Sequence, residues 1–256
     1  VVAFACAILT ASGLKDWQLK IGHVGILNDI LNNLGLSGDA KSAAMRLLDK
    51  GDFEGLEASG INGDAVQNLQ SLSQLNGGAE TLANAREIIS SMGVESEALD
   101  QLEEMLSALS ALGANPPSLV VDLTVARGLD YYTGMVFEVL VESLGGEGQV
   151  CGGGSYRLFH LFNLDELDPC CGFGMGFDRV LLALEIQAQN EGSSEVVPGE
   201  NSGPGVLAVI PFKVDNSAVL PLVGELRAAG QPVALELRSR KTGRSLAWAD
   251  ASGATY

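Results

Sequence analysis

Between Ala126 and Val141 the chain reads ARGLDYYTGMVFEVLV, and Arg127, Asp130, Tyr131, Tyr132 and Thr133 fall within its first half. Apolar strand-like sequence surrounds them: SLVVDLTV leads in, and VFEVLV leads out. An arginine offers a planar fork of donors that stays charged, which suits a phosphate or a carboxylate. A tyrosine offers an apolar face and a hydroxyl that seeks a partner, which suits a flat polar ligand. Gly128 and Gly134 permit backbone geometry that substituted residues resist. The competing reading is a buried Arg127–Asp130 pair beside two core tyrosines, and composition alone leaves both open.

Two glycine-rich stretches follow. CGGGSYRL, residues 151–158, places three consecutive glycines after a strand, where backbone could approach a ligand closely. CGFGMGFDRV, residues 171–180, spaces glycines at 172, 174 and 176 ahead of Asp178, Arg179 and an apolar helix. That spacing is neither the dinucleotide turn GxGxxG nor a Gly-Lys-Ser phosphate loop. Glycines so placed thin a strand so that a flat base can lie against it, and Arg179 can lie over a nucleotide.

The elements that must position these groups come from the whole chain. Its 256 residues suffice for one large or two small domains with a real core, and 46% hydrophobic content marks a folded protein. No apolar run approaches the ~18 residues of a membrane helix, and VVAFACAILTAS at the start lacks the basic flank of a signal peptide. The net charge of -17 argues against a surface that coats nucleic acid generally, though not against a local basic groove. Cys6, Cys151, Cys170 and Cys171 lack paired spacing, and His23 and His160 lie far apart, so no zinc site is offered. The cysteines read as free thiols. His23 in IGHVG reads as a packed or capping histidine rather than a base, and His160 in RLFHLF as a core histidine. The chain starts at Val1 and stops at Tyr256, where a new strand begins, so it is expected to be part of a longer protein.

Residues 1–36 read as helix, strand (WQLKIGHV) and helix. Residues 37–114 read as a helical insertion: Ser37 and Asp39 cap a helix through Asp49, Asp64 opens a second, and TLANAREIISSM forms a third. A last helix runs from about Glu95, with Leu99, Leu102, Met105, Leu106, Leu109 and Leu112 at helical period. Its acidic residues Asp100, Glu103 and Glu104 form a solvated face. Asn115-Pro116-Pro117 stops it. Residues 115–188 turn to strands at LVVDLTV, MVFEVLVE and GQVCGG, then return to helix over 171–188. Residues 189–204 form a linker rich in Gly, Ser, Pro and Glu. Residues 205–256 alternate strand and helix as the start of an α/β domain with parallel pairing. Arg238, Arg240, Lys241 and Arg244 cluster there, either as a contact to a nucleic-acid stem or as a solvated loop.

RGLDYYTGMVFE resembles the histidine-binding motif of histidyl-tRNA synthetases, and GFGMGFDRV resembles motif 3 of class II aminoacyl-tRNA synthetases. The order of segments fits, KDWQLKIGHVGILNDIL resembles the stretch after motif 2, and VALELRSRKTGRSLAWADASGA resembles the interior of the anticodon-binding domain. The similarity covers nearly the whole chain. The insertion and CGGGSYRL are closer to the archaeal and eukaryotic type. The family's Gly-Gly-Arg-Tyr-Asp-Gly-Leu stretch is GGGSYRL here, which offsets the tyrosine by one in a gapless comparison.

The resemblance implies an α+β fold with an antiparallel catalytic sheet, a helical insertion and a partial anticodon-binding domain, and motifs 1 and 2 are expected upstream. It puts Arg127 on the α-phosphate and the histidine carboxylate, as the catalytic residue. Tyr131, Tyr132, Gly152, Gly153 and Tyr156 fall in the histidine pocket, and Gly174, Gly176 and Arg179 in the ATP site. It implies a cytoplasmic histidine–tRNA ligase that uses ATP with Mg²⁺, charges tRNA(His), works as a homodimer and is inactive as this piece alone. The alternative is a non-catalytic histidine-binding paralogue such as the regulatory subunit of ATP phosphoribosyltransferase. A histidine-sensing domain of a larger protein is a third reading. Motif 1 would supply the dimer interface, and a motif 2 arginine upstream would separate enzyme from paralogue.

Overall fold

The computed structural model describes residues 1–75, 77–124, 132–164, 169–191, 205–238, 241–251 and 254. The chain opens with α1 (Val2–Ala11), β1 (Gln18–His23) and α2 (Val24–Asn33). Five helices follow: α3 (Gly38–Asp49), α4 (Phe53–Ala58), α5 (Gly63–Gln74), α6 (Thr81–Ser91) and α7 (Glu97–Ala111). Then come β2 (Ser118–Val121), β3 (Tyr132–Leu140), β4 (Gln149–Tyr156), β5 (Cys170–Met175) and α8 (Phe177–Asn190). After the linker lie β6 (Leu207–Val209), α9 (Asn216–Ala228), β7 (Val233–Leu235) and α10 (Thr242–Ala251). The fold is α+β, as expected.

β1 to β5 form one sheet in the order β2-β1-β3-β4-β5. β1 pairs antiparallel with β3, β3 with β4, and β4 with β5, while β2 runs parallel to β1. The parallel β1/β2 pair needs a long crossover, and the helices α2 to α7 supply it. β6 and β7 form a separate parallel pair, Leu207 opposite Val233.

The main core lies on one face of the five-stranded sheet. Leu19, Ile21, Phe137, Val139 and Cys151 are buried there together with Leu9 of α1 and Val180 and Ala183 of α8. Phe173 of β5 meets Phe4 of α1 edge to face at 6.0 Å and Phe137 at 6.2 Å. Gln187 of α8 ties down the end of α1: its carbonyl accepts from the Lys15 backbone at 2.9 Å, and its amide donates to the Gly13 carbonyl at 2.9 Å. The helical segment closes over Leu69, Leu72, Leu99, Leu102 and Leu106, the stripe that periodicity marks.

Some local expectations are corrected. The second insertion helix is capped by Asn62, whose side chain accepts from the Asp64 backbone at 2.9 Å, so Asp64 lies inside the helix. Asp52 caps the short α4, which the apolar pattern missed because one turn and a half carries little period. Ser37 stands at the N-cap of α3, but its side chain makes no capping bond. Residues 170–175 are strand, and helix begins only at Phe177. The three glycines at 152–154 lie inside β4 and not after it. Among the described residues, no helix is long and apolar enough to cross a membrane.

α9 also rests on α7. A side-chain carbon at Gly224 would stand 2.9 Å from the carbonyl carbon and oxygen of Leu112 and 3.0 Å from the Ala111 oxygen. Backbone cannot yield there as a flexible side chain could. Gly224→Ala is therefore expected to lower stability by about 1–3 kcal/mol, the scale of overpacking. Gly243→Ala, in α10 where a side-chain carbon would meet no atom within 4 Å, should not lower it. Urea unfolding of the two variants checks the contrast, and equal midpoints would contradict the close contact.

Candidate active site

The face of the sheet away from the core carries an almost bare strip. Strand pairing puts Gly22, Val136 and Gly154 in one row and Lys20, Glu138, Gly152 and Gly174 in the next. Gly172 lies opposite Gly154, and Tyr132 opposite Tyr156. Alternation along each strand keeps these rows on a single face. Gly153 points the other way, against Phe173 and the Gly172 carbonyl, so of the two glycines expected in the histidine pocket only Gly152 shares the face of the tyrosines.

The tyrosines lie over this strip. A side-chain carbon on Gly154 would come within 2.9 Å of two ring atoms of Tyr132. One on Gly172 would stand 3.0 Å from the Tyr156 hydroxyl. β3 makes room with a register shift between Tyr132 and Val136, which brings the first residue of the strand back against β4. Tyr156, which a gapless comparison offsets by one, stands directly opposite Tyr132.

At the other end of the strip, Gly174 has open space around it, and the Gln149 amide lies above Gly152. Gly176 is the N-cap of α8, and the Arg179 side chain folds back along it. Arg179 then donates to the Gln149 carbonyl at 2.7 Å. The pair of tyrosines and Arg179 therefore mark opposite ends of β4. Four residues separate Tyr156 from Gly152, about 13 Å at the strand rise.

Arg127, Tyr131, Gly128, Asp130 and Arg240 lie outside the described residues. Sequence reasoning missed Glu138, a carboxylate only 2% exposed in the row with Lys20, Gly152 and Gly174. Its lone place in the apolar MVFEVLV was the available signal. Lys20 pairs with Asp122 at 2.8 Å. Cys170 stands opposite Tyr156. His23 is a capping histidine: its Nδ1 accepts from the Gly25 backbone at 3.1 Å. The backbone of His160 lies in a short 3-10 turn, Phe159–Phe162. Among the described residues, no group of three His, Cys, Asp or Glu side chains could hold a metal ion.

A family model described as histidyl-tRNA synthetase matches residues 1–180. The chain belongs to the histidyl-tRNA synthetase family. The histidine–tRNA ligase of Archaeoglobus fulgidus is 36% identical over 260 residues, covering 100% of this chain and 57% of that protein. That of Methanoregula boonei is 35% identical, covering 97% of this chain and 55% of its own length. The chain thus spans a little over half the length of the curated relatives it matches. Among solved structures, a histidyl-tRNA synthetase from Nostoc sp. PCC 7120 superposes with a TM-score of 0.58 at 22% identity, covering 99% of this chain and 62% of that one. An ATP phosphoribosyltransferase regulatory subunit/histidyl-tRNA synthetase from Bacillus halodurans gives 0.61 at 24%, covering 100% and 62%. At such identity these two likenesses concern the fold.

Two expectations follow from the titrating groups. Burial raises the Cys6 and Cys151 thiols to about 11, so both stay protonated at neutral pH. In the native protein at pH 8, exposed Cys171 should react first with a disulfide reagent and half-buried Cys170 more slowly, with Cys6 and Cys151 reacting only on unfolding. Four rapid equivalents would contradict this burial. Burial also lowers the His23 imidazole below its usual value, outweighing the Gln101 hydrogen bond and the Asp29 charge that raise it. The unfolded chain then binds the proton more readily than the native one. The contribution of His23 to stability is complete above pH ~6.5 and is lost as pH falls below it. Urea midpoints from pH 7.5 to 5 should fall less steeply in His23→Asn than in the parent protein.

Proposed function

We propose that this chain forms the histidine and adenylate floor of a histidine–tRNA ligase. One observation carries the reading: a strip of glycines about 13 Å long with a tyrosine pair at one end and Arg179 at the other. An aminoacyl-adenylate is an elongated ligand with a small side chain at one end and a purine at the other. Tyr132, Tyr131 and Tyr156 would hold the imidazole, and Gly152, four positions back along β4, would underlie the ligand toward its other end. Gly174, Gly176 and Arg179 would receive the adenine. Arg127 would bridge the histidine carboxylate and the α-phosphate. ATP would bring Mg²⁺ with it as substrate; the described residues supply no cluster for a resident ion.

In the first step a carboxylate oxygen of histidine bonds to the α-phosphorus, and the bond to pyrophosphate breaks in line. Arg127 would stabilise the charge that develops there. In the second step a terminal ribose hydroxyl of tRNA(His) attacks the adenylate carbonyl, releasing AMP and losing its proton. No protein nucleophile is needed. The α/β segment 205–256, with Lys241 and Arg244, would face the tRNA. The full-length enzyme would be a cytoplasmic homodimer, and the 256 residues alone would not charge tRNA. The paralogue reading would leave Arg179 without a nucleotide to meet.

The test is histidine-dependent ATP–pyrophosphate exchange in the full-length protein. Arg127→Ala should lower it by roughly 10²–10³, the scale of losing one preorganised charge-stabilising donor, and Arg127→Lys should restore little of it. Tyr132→Phe should raise the histidine KM roughly tenfold, about 1.4 kcal/mol, with the ATP KM nearly unchanged. Loss of ATP binding in Tyr132→Phe would reverse the two ends of the floor. Histidine binding without any exchange in the unmutated protein would favour the regulatory paralogue.

A further inference from the structure

We propose that His23 is a positioning residue for Tyr132, acting through the first turn of α2. It ends β1 directly opposite Met135 of β3, with extended backbone, and is 7% exposed. Its Nδ1 accepts from the Gly25 backbone at 3.1 Å, which leaves the ring proton on Nε2. The residue held between them is Val24. Val24 packs with Val136 and Tyr132 in a small cluster of its own, apart from the main core. So the cap fixes Val24, Val24 flanks the Tyr132 ring, and the ring lies on Gly154.

The other edge of the imidazole is placed just as tightly. Nε2 lies 3.6 Å from where a side-chain carbon of Gly134 would stand, and the Ser155 hydroxyl lies 3.5 Å from the same point. Gly134 is two residues from Tyr132, within the stretch where the β3 register shifts. α7 closes the third side: a side-chain carbon on Gly25 would come within 2.7 Å of Ala98 and 2.8 Å of His23 Nδ1. A side chain at residue 25 could not be accommodated there. Asp29 of α2, which accepts from the Ser96 hydroxyl at 2.7 Å, is the charged group that acts on the ring. α7 offers it Gln101, β3 offers Met135 and Gly134, and β4 offers Ser155. Protonation at Nδ1 would replace an acceptor by a second donor and break the cap, loosening the wall behind Tyr132.

An ordinary helix cap stabilises its helix and does no more. A positioning residue also moves the ring it braces, and two measurements separate the cases. The chain is labelled with 3-fluorotyrosine, which gives four resonances, one for each tyrosine, and Tyr132→Phe identifies that of Tyr132. Without substrate, the Tyr132 resonance should shift between pH 7.5 and 5 in the parent chain and stay fixed in His23→Asn, which keeps a capping side chain. A resonance that ignores pH in the parent chain, or shifts equally in His23→Asn, overturns the proposal. The second measurement rests on the ligase reading above. In the full-length protein, His23→Ala should raise the histidine KM by roughly fivefold, the scale of a lost cap, with the ATP KM within about twofold, and His23→Asn should recover most of it. Equal changes in both KM values would show plain destabilisation and overturn it. Absence of exchange in the parent protein would sink the ligase reading, while the fluorine shifts would still decide the role of His23.

Discussion

Two aromatic rings cannot lie on a sheet where neighbouring residues raise side chains, and the Tyr132 ring and Tyr156 hydroxyl lie where β4 and β5 raise none. Gly154 sits under the Tyr132 ring and Gly172 under the Tyr156 hydroxyl, with Gly152 and Gly174 continuing the bare strip. Any substituted residue at 154 would collide with the ring and with the Met135 carbonyl. Glycine inside a strand costs about 0.5–1 kcal/mol relative to alanine, through the backbone freedom it loses on folding. Four such positions would weaken an isolated hairpin seriously. They are tolerated because Cys151 of β4 and Phe173 and Met175 of β5 pack on the opposite face beside Phe137 and Val139 of β3, where each large buried apolar side chain contributes about 1.5–3 kcal/mol.

This division of the sheet into a packed face and a bare face sets the direction of the site. Strands alternate, so a strip without side chains on one side can coexist with a dense core on the other. Its two ends differ in chemistry because different elements close them. The tyrosine end is closed by the irregular start of β3 and by α2; the far end is closed by the turn from β5 into α8. There the Arg179 side chain lies back along Gly176, and the Gln149 carbonyl fixes the guanidinium. Glu138 and Lys20 put opposite charges side by side in the row of Gly152 and Gly174, and Lys20 is held in turn by Asp122.

α7 connects these features to the rest of the chain. At about 22 Å for 15 residues, it touches Gly25 through Ala98 near its start and Gly224 of α9 through Ala111 and Leu112 at its end. The first meets the Ala98 side chain and the second meets backbone, and both depend on glycine in the partner element. Helices that approach this closely have little room to slide, so the α/β segment, the helical segment and the tyrosine end of the sheet share one rigid element.

The sequence by itself determined the longer helices of the insertion, because their apolar residues recur at helical period, and it singled out one short stretch as the candidate for chemistry. RGLDYYTG stands out as polar residues where a strand should be apolar, and Gly176 with Arg179 stands out ahead of an apolar helix. Caps were less legible: Asn62 and Asp64 are both good capping residues two positions apart, and only the folded backbone selects between them. The faces of β4 and β5 could not be read at all. Alternation reveals a strand's faces through its side chains, and a run such as CGGGSY has almost none to show. Only the tertiary structure decided that Tyr156 stands opposite Tyr132, that Gly152 and Gly153 point to opposite faces, and that Glu138 joins the floor. Those facts depend on cross-strand register, including the shift after Tyr132. Register is set by contacts between residues distant in the chain, which no local pattern encodes.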